Sequence, residues 1–385
     1  MTSSLPLLAT VSLVAGLLSA PVIGATATEH GQWAASTLAQ PVQPAGKASG
    51  AAPGVSDVVE HLAAPTASDR RRVLGYWTPR RMAGAVPIDL LGTVAGMPVW
   101  PIVPITLPGT MSGMSGRPAV PIGLPTTMAG MRGRSAVPIG HRVTPAGKTR
   151  GHLRRPTARI SGARWNAGGS VSRTTGRVFL TLAGTDFVCS ASSVKGANRD
   201  LVVTAGHCVK DGTGAWADNW VFVPGYEEGR QPYGQFTARR MFVAGPWSRS
   251  GDDSYDVGMV AVNQRNGKHL NDVVGSQDIT FGAPRGRQTY GFGFPADSPY
   301  NGEHLVYCAG SLRDDPNDQT SDQGLRCDMT AGSSGGPWLS GFDPVTGRGT
   351  LTSVSSFKYS DDRRTMYGPY FGESAKQLYT TAQSS

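Results

Sequence analysis

Downstream of Gly176 the chain uses one device again and again: a short apolar run closed by glycine, aspartate or asparagine. RVFLTLAG, DLVVTAG, NWVFVPG, RRMFVAG and DVGMVAVN all follow it. Such runs, parted by turn residues, specify strands, and so many in succession specify an all-β domain built as a barrel or a sandwich. One stretch departs from the pattern. GESAKQLYTTA, near the C-terminus, sets Ala375, Leu378, Tyr379 and Ala382 at helical spacing and predicts a short closing helix. Composition agrees, because 51 glycines and 28 prolines in 385 residues exclude a continuous helical bundle. Residues 165–385 alone are enough chain for a sizeable core.

The N-terminal part reads differently. Residues 1–27 have the form of a secretory signal, with an apolar stretch from Leu5 to Ala20 and small residues at Ala25-Thr26-Ala27, although no Lys or Arg precedes the apolar run. This predicts a secreted, extracellular protein. No later stretch of eighteen uncharged apolar residues occurs, so no mature membrane span is expected. Residues 28–155 are rich in Ala, Pro and Gly and contain a tandem repeat. LPGTMSGMSGRPAVPIG (107–123) and LPTTMAGMRGRSAVPIG (124–140) match at 13 of 17 positions, and a worn copy at 90–106 matches the next at 9 of 17. Proline in every copy opposes both helix and central strand, which predicts a largely non-globular propeptide or linker over 28–155. Arg154-Arg155 is a candidate processing site at its end.

Charge follows the same division. Residues 28–155 hold 14 Lys/Arg against 5 Asp/Glu, whereas residues 156–385 hold 22 of each. With few aromatics among those basic residues, a nucleic-acid partner is not indicated; attraction to an anionic wall or membrane surface is the other use of such a segment. The four cysteines, Cys189, Cys208, Cys308 and Cys327, suggest two disulfides in an exported chain, with three pairings open. No Cys-x-x-Cys or His-x-x-x-His spacing supports a metal, and no cofactor is expected.

Three short segments carry chemistry. LVVTAGHCVKDG ends an apolar strand in a small-residue turn that presents His207, and a bridge from Cys208 to Cys189 would clamp that turn, fixing a general base. SYDVGMVAV opens on Asp256, a carboxylate at the edge of an otherwise apolar strand, which needs hydrogen-bond partners if buried. Taken alone it reads as a turn cap, and Asp252 and Asp253 read as solvated charges. TAGSSGGPWL offers Ser334 at a glycine-rich turn whose backbone N–H groups could face a developing oxyanion. Each is weak by itself. Their order, His207, Asp256, Ser334, is one of the known chain orders of a Ser-His-Asp triad.

TAGHC, DVGMV and GSSGGPW resemble the three signature segments of the chymotrypsin-type (trypsin-like) serine peptidases. The likeness covers about residues 165–385 and is nearest to the secreted bacterial branch that includes the glutamyl-endopeptidase-like enzymes. It implies two six-stranded antiparallel β-barrels with the site between them. It also implies Ser334 as nucleophile, His207 as base and acid, Asp256 as its orienting anion, and the N–H groups of Gly332 and Ser334 as the oxyanion hole. The pairing Cys189–Cys208 matches the family's bridge beside the histidine, which leaves Cys308–Cys327. Ser333 stands where the family usually has an aspartate that receives a new N-terminus. Zymogen activation is therefore expected to proceed by removal of a blocking prosegment. For the specificity pocket the candidates are Asp328, six residues before Ser334, with Ser355 and Lys358 from SVSSFKY. The expectation is a secreted, monomeric serine endopeptidase acting on protein or peptide through an acyl-enzyme. The alternative is a catalytically silent binding protein on the same scaffold.

Overall fold

The computed structural model describes residues 57–88 and 158–385. The signal segment 1–27, the repeats at 90–140 and Arg154-Arg155 lie outside the described residues. The chain opens with β1 (Val58–Leu62), α1 (Ala67–Tyr76), α2 (Pro79–Gly84) and β2 (Val86–Pro87). These elements correct the reading of 28–155 as non-globular over one stretch. Their signals are local: Thr66 and Asp69 form a reciprocal capping box at the start of α1, and Thr78 caps α2 just ahead of Pro79.

Next come β3 (Arg159–Arg164), α3 (Gly169–Thr174), β4 (Thr175–Leu182), β5 (Thr185–Ser193), β6 (Leu201–Thr204), β7 (Asp218–Pro224) and β8 (Phe236–Ala244). They are followed by α4 (Gly245–Ser250), β9 (Gly258–Val262) and α5 (Leu270–Val274). Strands β7-β4-β5-β6-β9-β8 are hydrogen-bonded in that order, and β8 returns to β7, closing a six-stranded barrel. Consecutive residues of its strands serve different cores. Val178, Leu180, Val202, Val260 and Phe222 fill one, while Phe179, Val203, Met259 and Val221 enter a second shared with the rest of the molecule. Both faces are covered, so these strands read as unbroken apolar runs rather than as an alternation of apolar and polar residues.

The second half comprises β10 (Asp278–Ile279), β11 (Gln288–Gly293), β12 (Val306–Ser311), β13 (Arg313–Asp314), β14 (Gln323–Arg326), β15 (Pro337–Asp343), β16 (Arg348–Val354), β17 (Thr365–Gly368) and α6 (Glu373–Gln383). A six-stranded sheet runs β10-β16-β15-β11-β12-β3, beside a three-stranded sheet β13-β14-β17. Here the ladder does not close into one ring. Instead, a disulfide from Cys308 on β12 to Cys327 just past β14 ties the two sheets together. The closing helix α6 buries Ala375, Leu378 and Ala382, the face its spacing predicted, in the shared core.

Candidate active site

His207 sits on a single 3-10 turn, Gly206–Cys208, at the end of β6. Two features hold that turn. Cys208 is bridged to Cys189 on β5, and a loop of this size adds about 3 kcal/mol through the unfolded state. Gly206 leaves room for a carboxylate: a Cβ there would lie 2.8 Å from Asp256 Oδ1 and 3.0 Å from the Trp247 ring. The Asp256 carboxyl group, 1% exposed, accepts from the His207 backbone N–H (2.8 Å) and pairs with His207 Nδ1 (2.7 Å). A third hydrogen bond comes from the Ser356 hydroxyl at 2.5 Å. The expectation that a buried Asp256 would need partners is thus answered by three donors. Ser356 was not among the residues singled out in the sequence. Its neighbour Ser355 was, but the Ser355 hydroxyl accepts from Trp338 Nε1 and the residue is fully buried.

Ser334 is fully buried on the turn that feeds β15. Its carbonyl accepts from Ser190 N–H (2.7 Å), which sets the turn against the barrel strand next to the Cys189–Cys208 bridge. The Ser190 hydroxyl donates to Gly332 O (2.9 Å) and accepts from Phe294 N–H (2.8 Å). Ser333 closes the turn from within, its hydroxyl donating to Thr330 O (2.6 Å). Glycine is required at Gly335, where φ is +77° and a Cβ would collide with Thr204 Oγ1 and the Ser190 carbonyl. Gly332, at φ +90°, is equally constrained by Phe294 O and Ala296. Two polar atoms are left over. His207 Nε2 and Ser334 Oγ are both buried, and neither has a hydrogen-bond partner among the described residues.

The electrostatics favour charge separation at this pair. Burial alone would push Asp256 up, but the neighbouring imidazole and the three hydrogen bonds outweigh it and hold the carboxyl below its ordinary range. His207 shows the mirror image: burial pushes the imidazole down, while the charge and hydrogen bond of Asp256 raise it further, to above an ordinary histidine. Asp253, on the turn before Asp256, is not the plain solvated charge its loop suggested. Burial, and then the charge of Asp256, push it up to about 7. The carboxyl group of Asp322 is fully buried with neither oxygen hydrogen-bonded, and burial, then the charges of Asp256 and Asp253, push it well up.

A pH experiment follows from this coupling. Above pH 7 Asp253 is an anion and helps His207 hold its proton. Asp253→Asn removes that help, so the imidazole becomes a free base at lower pH. The acid limb of kcat/KM, which reports the free enzyme, is expected to move to lower pH. A limb that stays in place or moves up refutes the coupling.

The side chains of the pocket candidates Asp328 and Lys358 are engaged by neighbouring groups. Asp328 accepts from Tyr300 Oη (2.6 Å), Gly162 N–H (2.8 Å) and Ser161 Oγ (3.0 Å), turned toward β3. Lys358 is buried, with its ammonium donating to Cys327 O (2.8 Å) and Arg363 O (2.6 Å). Burial lowers it to about 8, against the opposing pull of Asp328 and Asp362. The two charges therefore act on each other.

Among the described residues the one group of possible metal-binding side chains is His207 with Cys189 and Cys208. Both sulfurs are consumed by the disulfide, so the donor set does not fit a metal. No helix among the described residues is long and apolar enough to cross a membrane.

A closed six-stranded barrel joined to a second β half, with a short C-terminal helix, is the architecture of the chymotrypsin-type serine peptidases, and the chain belongs to that family. Among solved structures it is similar to the protease Anisep from Arthrobacter nicotinovorans, at 43% identity and a TM-score of 0.55, over 58% of this chain and 99% of that one. It is also similar to the thermostable serine protease AL20 from an extremophilic microorganism, at 38% identity and a TM-score of 0.54, over 56% of this chain and 99% of the other. Among curated proteins, an extracellular metalloprotease of Bacillus subtilis is 30% identical over 103 residues. That stretch spans 27% of this chain and only 33% of the relative's length. No family model matches the chain.

Proposed function

We propose that the protein is a secreted endopeptidase that hydrolyses peptide bonds through a seryl acyl-enzyme. Ser334 Oγ attacks the scissile carbonyl carbon while His207 Nε2 takes its proton. Asp256 fixes the imidazole with Nδ1 protonated and Nε2 free, and stabilises the cation that forms. The N–H groups of Gly332 and Ser334 stabilise the oxyanion. His207 then returns the proton to the leaving amine, and a water molecule repeats the sequence to release the acyl group. The observation that carries this reading is the pair of buried, unpartnered atoms, His207 Nε2 and Ser334 Oγ. They are two of eleven such atoms among the described residues, but these two are the base nitrogen and the hydroxyl oxygen that this chemistry needs free, on the histidine that Asp256 already holds through Nδ1 and on Ser334.

Charge selection at the cleaved bond is expected to be weak. Asp328 is committed to three donors and Lys358 to two carbonyls, and each offsets the other. The test of the mechanism is covalent. A fluorophosphonate should add one phosphonyl group to the protein, and peptide mass mapping should place it on Ser334. An unmodified protein, or a label at another serine, would overturn the assignment.

A further inference from the structure

The folded stretch 57–88 lies on the first barrel at two places where the barrel's own ladder is incomplete. Strand β7 pairs with β8 only at Phe236 and Thr237, and β1 takes over the vacated edge, antiparallel, from Arg240 to Ala244. Strand β6 pairs with β5 only at Ser192 and Ser193, and β2 runs parallel to β5 at Phe187 and Val188. Without this stretch both edges would present unpaired N–H and C=O groups, a liability in any sheet.

The side chains act in the same direction. Trp77 is 3% exposed, packs its ring 5.5 Å from that of Phe179 and donates its indole N–H to Asn219 O. Val73, Met82 and Ala64 are buried in one core with Phe179, Val221 and Phe242. Polar groups latch both ends. Arg249 grips Asp57 through two hydrogen bonds (2.6 and 2.7 Å), and Asp186 receives Tyr76 Oη (2.7 Å) and Arg81 (2.9 Å). The buried Asn263 amide donates to Ala64 O (3.0 Å). Among the described contacts of 57–88, none reaches His207, Asp256 or Ser334. The segment is built as part of the barrel, and it does not plug the site.

We propose that residues 57–88 remain on the barrel after the connecting chain between 89 and 157 is hydrolysed, so that the processed protein is a non-covalent complex of two chains. The partner this surface fits is therefore the protein's own excised segment. A buried aromatic anchor, Trp77, surrounded by ladder hydrogen bonds is the feature that gives tight retention.

The experiment uses the full chain with a recognition site for a selective peptidase placed between residues 89 and 157. After complete cutting, the sample is passed over a size-exclusion column in native buffer and its mass spectrum is recorded. The fragment carrying 57–88 is expected to co-elute with the fragment carrying 158–385 in equal amounts and to separate in denaturant. Trp77→Ala in the cut protein should weaken retention on the order of 100-fold. Elution of the two pieces apart in native buffer, with the larger piece still melting cooperatively at the same temperature, would overturn the proposal. So would a Trp77→Ala complex as tight as the parent. Because the readout is mass and elution, the outcome is independent of whether Ser334 is a nucleophile.

Discussion

Ser334→Ala should lower kcat on the order of 10^6-fold, and adding His207→Ala to it should cost almost nothing more. The reason is that the two side chains act as one unit. The serine is useless without a base to take its proton, and the base has nothing to deprotonate once the serine is gone. The alanine variant keeps the backbone N–H groups at 332 and 334 and the barrel contacts made by the Ser334 carbonyl. A residual rate about 10^3- to 10^4-fold above uncatalysed hydrolysis should therefore survive. Steady-state assays on one peptide substrate with both singles and the double variant decide the matter. A double variant another thousandfold slower than Ser334→Ala would mean that His207 and Ser334 contribute separately.

Asp256→Asn should cost on the order of 10^4-fold in kcat at neutral pH. Three donors converge on the carboxyl group: the His207 N–H, His207 Nδ1 and the Ser356 hydroxyl. An asparagine offers one acceptor oxygen, and the backbone N–H of His207 is placed to claim it. The amide NH2 then faces Nδ1, which must become an acceptor, and the proton moves to Nε2. The base points a hydrogen at Ser334 when it needs a lone pair. Assays from pH 6 to 10 distinguish this from a general loss of structure, since hydroxide replaces a missing base and the defect should shrink as pH rises. A variant retaining a tenth of the parent activity at neutral pH would refute the assignment of Asp256.

His207, Asp256 and Ser334 could be singled out because each sits in a local motif whose neighbours carry information. Glycines beside Ser334 and Gly206 beside His207 are demanded by contacts within the site, and both are visible as letters. The strands were legible for a similar reason, since burial on both faces leaves unbroken apolar runs. What escaped was set by partners remote in the chain. Ser355 and Ser356 are adjacent serines just past β16, and their hydroxyls go to different partners, Trp338 and Asp256. Only the position of Asp256, 100 residues away, decides which of them enters the site. The stretch 57–88 escaped because its composition is averaged with that of the repeats. Its capping signals, Thr66 with Asp69 and Thr78 before Pro79, were there to be read. The pairing of β1 with β8 was not, because nothing near residue 58 specifies residue 244. Likewise Asp253 looked like a solvated charge because a polar loop gives no hint of what will be packed over it.

Ser190 ties together strands that are far apart in the chain. Through its N–H and its hydroxyl one residue of the first barrel grips Ser334, Gly332 and Phe294 of the second half. A newly made chain in which only one half has folded has no such grip, and its Ser334 turn lacks the contacts that set its shape. Proteolytic power would then arrive last, with the docking of the two halves. Half-folded copies of the chain, the molecules most easily cut, would be unable to cut one another.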